Sequence, residues 1–407
     1  MPGYHSASSL QGRASVVLAD NISGLQVKQG FSDLADLRRL LDQIDLEPLV
    51  SALTGPPRTG RRPFPRRPIV KAFLSTYALD IPNISALVWR LNNDPALRSV
   101  CGFTNHLPDR STFSRVFQQL AEQHTDLVYE CSVRLLGILR RQYPDFGKEL
   151  AVDSTTIWAY ANPNRGKDPD ASWTKKHSAQ DPTQEEWVFG YKAHVVADAN
   201  SDLPISMIVT TGKRNDSPLL IPLLEKAEEE HSWFQLGPDG IVTADRGYDS
   251  ARNNDYIHRR GAAPVIHKRE FKHERLPGAI YTTDGVPICL GKRKMEYIQT
   301  DPQAGHHLYR CPAGGCHRRR QKVGYATCGD ESWEDPEENI RLFGGRIRRA
   351  SPEWQKAYDK RWSVERLFSR WKDTGRLERH RYMGLPKIRL HATMQMAVSL
   401  AEAVAKT

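Results

Sequence analysis

The residue pattern changes character at position 149, and that change limits the folds open to the chain. Before it, apolar residues recur at helical spacing. The helical segments are DLADLRRLLDQIDLEPLVSAL (33–53), IVKAFLSTYAL (69–79), ISALVWRLNNDPAL (84–97), DRSTFSRVFQQLAEQ (109–123) and TDLVYECSVRLLGILRRQY (125–143). After it, alternation takes over. ELAVDSTTIWAY (149–160), WVFGYKAHVVADA (187–199) and LPISMIVTT (203–211) read as strands, the last two joined by a tight turn at Ala199–Asp202. A helix capped by Asp216 or Ser217 follows, then a strand (GIVTADRGY, 240–248), a helix (SARNNDYIHRRG, 250–261) and a short strand (APVIHKR, 263–269).

Three antiparallel strands, then alternating helix and strand, then a late helix is the order of a ribonuclease-H-like nuclease core. The expected class is therefore α/β: such a core in 149–269 and 351–385, preceded by an all-α domain in 31–148. Residues 270–350 are rich in Gly, Pro and turn residues and read as a β-rich inserted subdomain. Residues 1–30 carry no period and read as an arm, and a final helix is expected in 386–407.

In the helical half, GPPRTGRRPFPRRP (55–68) reads as a non-helical linker suited to a phosphate backbone. Asp109 or Ser111 should cap the following DRSTFSRVFQQL helix. A helix-turn-helix and an ordinary αα-hairpin fit this region equally well. The 58 Lys and Arg against 48 Asp and Glu give +10 at neutral pH, which suits a polyanionic partner. No apolar run approaches the roughly 20 residues of a membrane span. The N-terminal stretch lacks the apolar core of a signal peptide, so a cytoplasmic protein with no membrane association is expected.

Two carboxylates stand out in the strand region. Asp153 interrupts the apolar LAVDSTT, and Asp245 ends IVTAD. A charge on a central strand is costly unless it is paired or binds metal, although an Asp at a strand end also caps turns. A third carboxylate, Glu365, lies in YDKRWSVERLFSRWK (358–372), fifteen residues without Gly or Pro. On one continuous helix, Tyr358, Arg361, Glu365 and Lys372 project at roughly 0°, 300°, 340° and 320°. Ala357, Val364, Leu367, Phe368 and Trp371 form an adjacent apolar stripe. Ordinary ion pairs such as Arg361 to Glu365 also fit that face. Hard oxygen ligands of this set would hold two Mg2+ or Mn2+ ions.

The spacing Tyr358-x2-Arg361-x3-Glu365-x6-Lys372, with Asp153-Ser154-Thr155 and Asp245-Arg246-Gly247-Tyr248, resembles the DDE transposases of bacterial insertion sequences. Residues 69–125 are also similar to the helical N-terminal domain of that family, so the likeness covers most of 69–400. The resemblance implies that Asp153, Asp245 and Glu365 bind the metals, and that Tyr358, Arg361 and Lys372 hold the phosphate at the transposon end. It implies cut-and-paste transposition on double-stranded DNA, with terminal inverted repeats and target DNA as partners and a homodimer on paired ends. It further implies a flipped base stacked on an aromatic of the insertion, for which Trp333 is the candidate. A non-catalytic repressor and a nuclease without strand transfer are the alternatives.

Other groups are weighed on their residues alone. Cys289, Cys311, Cys316 and Cys328 cluster in the insertion beside His306, His307 and His317, and form either a structural zinc site or unliganded thiols. Cys101 and Cys131 lie on apolar helix faces and are expected in the core. His194 alternates with apolar neighbours and reads either as a histidine reaching the metal face or as a satisfied sheet histidine, with the second favoured. Lys192 and Lys213 are candidate DNA contacts, and Glu228, Glu229 and Glu230 a solvated helix end.

Overall fold

The computed structural model describes residues 34–54, 63–104, 106–177, 185–269, 281–289, 291–312, 322–323, 326–327 and 331–406. Its helical N-terminal part comprises α1 (Leu34–Asp42), α2 (Glu47–Thr54), α3 (Arg66–Ala78), α4 (Ile84–Asn93), α5 (Pro95–Cys101), α6 (Arg110–Gln123) and α7 (Thr125–Gln142). Two of the expected helices are in fact pairs. Asp94 ends α4 and caps α5 by accepting the Leu97 amide, because the residue before Pro95 is pushed out of the helical region. Asp45 likewise accepts the Glu47 amide at the start of α2. Helix α3 begins at Arg66, inside the segment expected to be non-helical. Pro68 falls in its first turn, where a missing N–H leaves no bond unmade. Asp109, not Ser111, caps α6 through the Thr112 amide. Cys101 and Cys131 are buried, as their apolar faces require.

The sheet is built from β1 (Glu149–Trp158), β2 (Ser172–His177), β3 (Glu185–Asp198), β4 (Leu203–Thr211), β5 (Ile241–Ala244) and β6 (Ala263–Ile266), with α8 (Leu220–Glu230) and α9 (Ala251–Arg259) between strands. Strand β3 pairs antiparallel with β1, β2 and β4, and β1–β5–β6 run parallel. The N-terminal half of β3 reaches past β1 and is covered there by β2 instead. At the crossing point Gly190 lies so close to the Ile157 carbonyl that a Cβ would collide with it. Helix α8 follows a 3-10 turn at Ser217–Leu219 and has no side-chain cap, so neither Asp216 nor Ser217 plays that part.

Beyond β6, the described segments include β7 (Glu296–Thr300), β8 (His307–Arg310), β9 (Lys322–Val323), β10 (Ala326–Thr327), β11 (Glu331–Glu334) and the short α10 (Ile340–Phe343). Strands β7, β8 and β11 form a small antiparallel sheet. Then come α11 (Pro352–Asp359), α12 (Trp362–Ser369), a π-helical turn at Arg370–Thr374, and α13 (Leu385–Ala405). Among the described residues no helix is long and apolar enough to cross a membrane.

The segment 358–372 is therefore not one helix. At Lys360 and Arg361 the dihedrals remain right-handed helical, but the hydrogen bonds shorten to three-residue steps: Arg361 N to Tyr358 O at 2.9 Å and Ser363 N to Lys360 O at 3.0 Å. The cause is tertiary. Lys360 Nζ is held by Glu149 and by Asn200 Oδ1, which fixes the junction against the start of β1. At the far end Arg370 is tied to Asp202, and the turn widens. The apolar stripe still does its work, with Ala357, Val364, Leu367, Phe368 and Trp371 all buried.

Candidate active site

The register of β1 on β5 places two carboxylates side by side. Val152 pairs with Ala244 in the parallel ladder, so Asp153 and Asp245 follow on adjacent strands about 4.8 Å apart at the backbone. Asp153 Oδ1 accepts its neighbour's amide, Ser154 N, at 2.7 Å. Asp245 Oδ1 accepts the Gly247 amide at 2.8 Å and so also caps the turn at Arg246–Tyr248.

Glu365 enters from the first turn of α12. Arg361 Nη1 lies 2.6 Å from Glu365 Oε1 and 3.9 Å from Asp153 Oδ2, so one guanidinium sits between two carboxylates. It also lies over the rings of Tyr358 and Trp362. Tyr358 in turn stacks on Trp354 and meets the edge of His267. Burial, then the Asp245 charge, push the Asp153 carboxyl up to about 8, against the opposing pull of the Ser154 amide and Arg361. Burial raises Asp245 as well, with Asp216 adding to it. Three carboxylates around one guanidinium leave an excess of negative charge that a cation would relieve.

That donor set, all carboxylate oxygens, fits Mg2+ or Mn2+. Among the described residues, however, no three His, Cys, Asp or Glu side chains converge into a ready cage. Arg361 Nη1, within 3.9 Å of Asp153 and 2.6 Å of Glu365, lies between those two carboxylates.

The remaining candidates divide. Tyr358 and Arg361 belong to this cluster, whereas Lys372 falls in the π-helical turn and pairs with Glu378 at 2.8 Å. Trp333 lies on β11 opposite Leu308, 49% exposed. Cys289 and Cys311 are in no disulfide, and Cys316 and Cys328 lie outside the described residues. Glu228 and Glu230 are not simply solvated, since they engage Arg260 and Lys226.

Residues not expected at the site lie on the other side of β1. Side chains alternate along a strand, so Ser154 faces away from Asp153. Its hydroxyl donates to Asp216 Oδ1 at 2.9 Å, and Lys192 Nζ reaches the same oxygen at 3.0 Å. Lys192, a candidate DNA contact, is thus only 11% exposed and ion-paired. His194 does not reach the metal face: its ring is buried beside Thr210 Oγ1 at 3.0 Å. The available signal was the alternation of Lys192 and His194 among apolar neighbours in β3, because a buried lysine requires a nearby carboxylate.

Residues 144–400, more than half of the chain, match the family described as "Transposase DDE domain", and the chain belongs to that family. Residues 26–119 match a second transposase domain, DUF772. A relative, the putative transposase for insertion sequence element IS402 of Burkholderia cepacia, is 35% identical over 103 residues, 25% of this chain and 48% of the relative. The chain thus spans about half the length of that relative. A solved structure of piggyBac transposase in a synaptic complex with hairpin DNA aligns with 93% of this chain and 77% of its own at a TM-score of 0.40 and 12% identity.

Proposed function

We propose that this protein is an insertion-sequence transposase that cleaves DNA at the element's terminal repeats and joins the ends to target DNA. The observation that carries the reading is the β1–β5 register, which sets Asp153 beside Asp245, with Glu365 and Arg361 facing them. In this reading 149–269 and 351–385 form a ribonuclease-H-like core, 31–148 a DNA-binding domain, and 270–350 an insertion. Family membership supports a transposase role.

Asp153, Asp245 and Glu365 would hold two divalent cations, Mg2+ or Mn2+, which supply an activated oxygen nucleophile and stabilise the leaving oxygen in phosphoryl transfer. In cleavage water attacks a phosphodiester and the DNA 3′-oxygen leaves; in joining, that 3′-hydroxyl attacks a target phosphodiester and the target strand's own 3′-oxygen leaves. The chain's own groups position the phosphate. Arg361 offers a bidentate fork, and Tyr358, wedged by Trp354 and His267, fixes the ring over which that guanidinium lies. An excess of buried carboxylate serves no purpose in a protein that only binds polyanionic DNA, which disfavours a repressor. Trp333 as a base-stacking residue, a cysteine-held zinc, and a homodimer on paired ends belong to the same reading.

The test is a paired-end DNA substrate with target DNA and Mg2+. Ends cleaved and joined support the proposal. Cleavage without joining makes the protein a nuclease, and binding without cleavage makes it a repressor.

A further inference from the structure

The cluster behind β1 is the strongest feature that the proposed chemistry leaves unused. Asp216 lies between β4 and α8, yet its carboxylate does not cap the helix. It binds the Ser154 hydroxyl at 2.9 Å, and Lys192 Nζ at 3.0 and 3.3 Å to its two oxygens. Lys192 also donates to the Arg214 carbonyl at 3.2 Å, and His194 Nδ1 stands 3.5 Å from Asp216 Oδ1 with no hydrogen-bond partner. Ser154 is the residue whose amide holds Asp153 Oδ1.

The next residue reaches the other strand. The buried Asn253 amide donates to the Ser217 carbonyl at 2.9 Å and to the Tyr248 carbonyl at 2.7 Å. Tyr248 closes the turn that Asp245 caps. Two consecutive residues, 216 and 217, are therefore each fastened to one of the carboxylate-bearing segments.

We propose that Asp216 is a positioning residue: with Ser217 it clamps the Asp153 and Asp245 segments at the spacing a divalent cation requires. The proposal rests on the metal-binding reading given above. Asp216 acts through Ser154 from the opposite face of the strand. Its contacts with Lys192, through both carboxylate oxygens, hold it in place behind the strand. Groups that orient metal ligands in this way change metal affinity by about 10- to 100-fold when removed.

The experiment titrates Mn2+ into the full chain without DNA, by calorimetry, for the wild type, Ser154→Ala, Asp216→Asn, Asp216→Glu, Asp153→Ala and Asp245→Ala. Ser154→Ala is the mild variant, because it cuts the link to Asp216 while leaving the Lys192 ion pair intact. Expected is a roughly 10- to 100-fold weaker Mn2+ affinity for Ser154→Ala and Asp216→Asn, partial rescue by Asp216→Glu, and an unfolding midpoint for Ser154→Ala in chelator close to wild type. Wild-type Mn2+ affinity in Ser154→Ala, with binding lost in Asp153→Ala and Asp245→Ala, overturns the clamp but keeps the metal site. Wild-type affinity in Asp153→Ala and Asp245→Ala sinks the metal-binding reading itself. Weakened affinity that merely tracks a lowered unfolding midpoint in Ser154→Ala reduces Asp216 to a structural residue and also overturns the clamp.

Discussion

The two faces of β1 carry opposite electrostatic designs within one residue of each other. On the Asp153 face, three carboxylates share one guanidinium, and burial has raised two of their pKa values. On the Ser154 face, one carboxylate is matched by one lysine and a hydroxyl, and the histidine beside them is held uncharged. The first arrangement holds more carboxylates than cations, and the second pairs its one carboxylate with one lysine. A buried polar cluster that satisfies itself adds rigidity, while one in charge excess awaits a ligand. Adjacent positions on one strand can thus divide binding from support.

The largest effect should come from removing the unbalanced charge. Asp153→Ala, Asp245→Ala or Glu365→Ala should each abolish cleavage of a cognate end while binding to it persists, since phosphate contacts elsewhere dominate affinity. Comparable cleavage by any of them at saturating Mg2+ would remove that residue from the set.

The guanidinium that separates the carboxylates comes next. Arg361→Ala should slow cleavage by roughly ten- to a thousandfold, about 1.4–4 kcal/mol of barrier, with a much smaller loss of end affinity. Because Lys372 is engaged by Glu378, Lys372→Ala should cost less than Arg361→Ala. Severe loss of binding with a normal rate for the bound fraction would make Arg361 a docking contact.

The faces should also differ in how stability responds to pH without metal. In the folded state Asp153 keeps its proton up to about 8, whereas the unfolded chain releases it near the usual carboxylate value of about 3.9. Stability should therefore fall as pH rises between those values. Asp153→Asn should remove that decline, and added Mg2+ should offset it in the wild type. Parallel unfolding midpoints for wild type and Asp153→Asn from pH 5 to 8 in chelator would contradict the charge-excess description.

A smaller effect of opposite sign belongs to the other face. Burial lowers His194 to about 4, while the unfolded chain takes up the proton near about 6.5. Its contribution is present at neutral pH and is lost as pH falls through that window. His194→Gln should flatten the acid limb of the stability profile and leave the alkaline limb unchanged. An unchanged acid limb would show that His194 does not titrate on unfolding in this range.

Part of this contrast is legible in the sequence. Asp153 and Asp245 stood out because a charge in an apolar strand has few explanations, and Glu365 because of its neighbours' spacing. Their adjacency was not legible, since it depends on parallel pairing between segments some ninety positions apart. Strand β2 is not marked in the sequence because SWTKKH carries one tryptophan among polar residues and has no apolar face. The single helix expected over 358–372 assumed unbroken periodicity, and the tie of Lys360 to Glu149 and Asn200 is invisible to a local rule. Asp216 was misassigned for the opposite reason. An Asp before a helix satisfies the capping rule so readily that its partners on the neighbouring strands leave no local mark.

Helix α13 packs against α1, α3, α6 and α7 as well as β4, and Tyr77 of α3 bonds His391 of α13 across 314 residues. At a synthesis rate of about 5–20 residues per second, roughly 15–60 s separate the appearance of these two partners on the ribosome. During that interval the early helices have no lid for their apolar surface. A nascent chain thus keeps the α13-facing surface of its N-terminal helices without that partner until its last helix has been made.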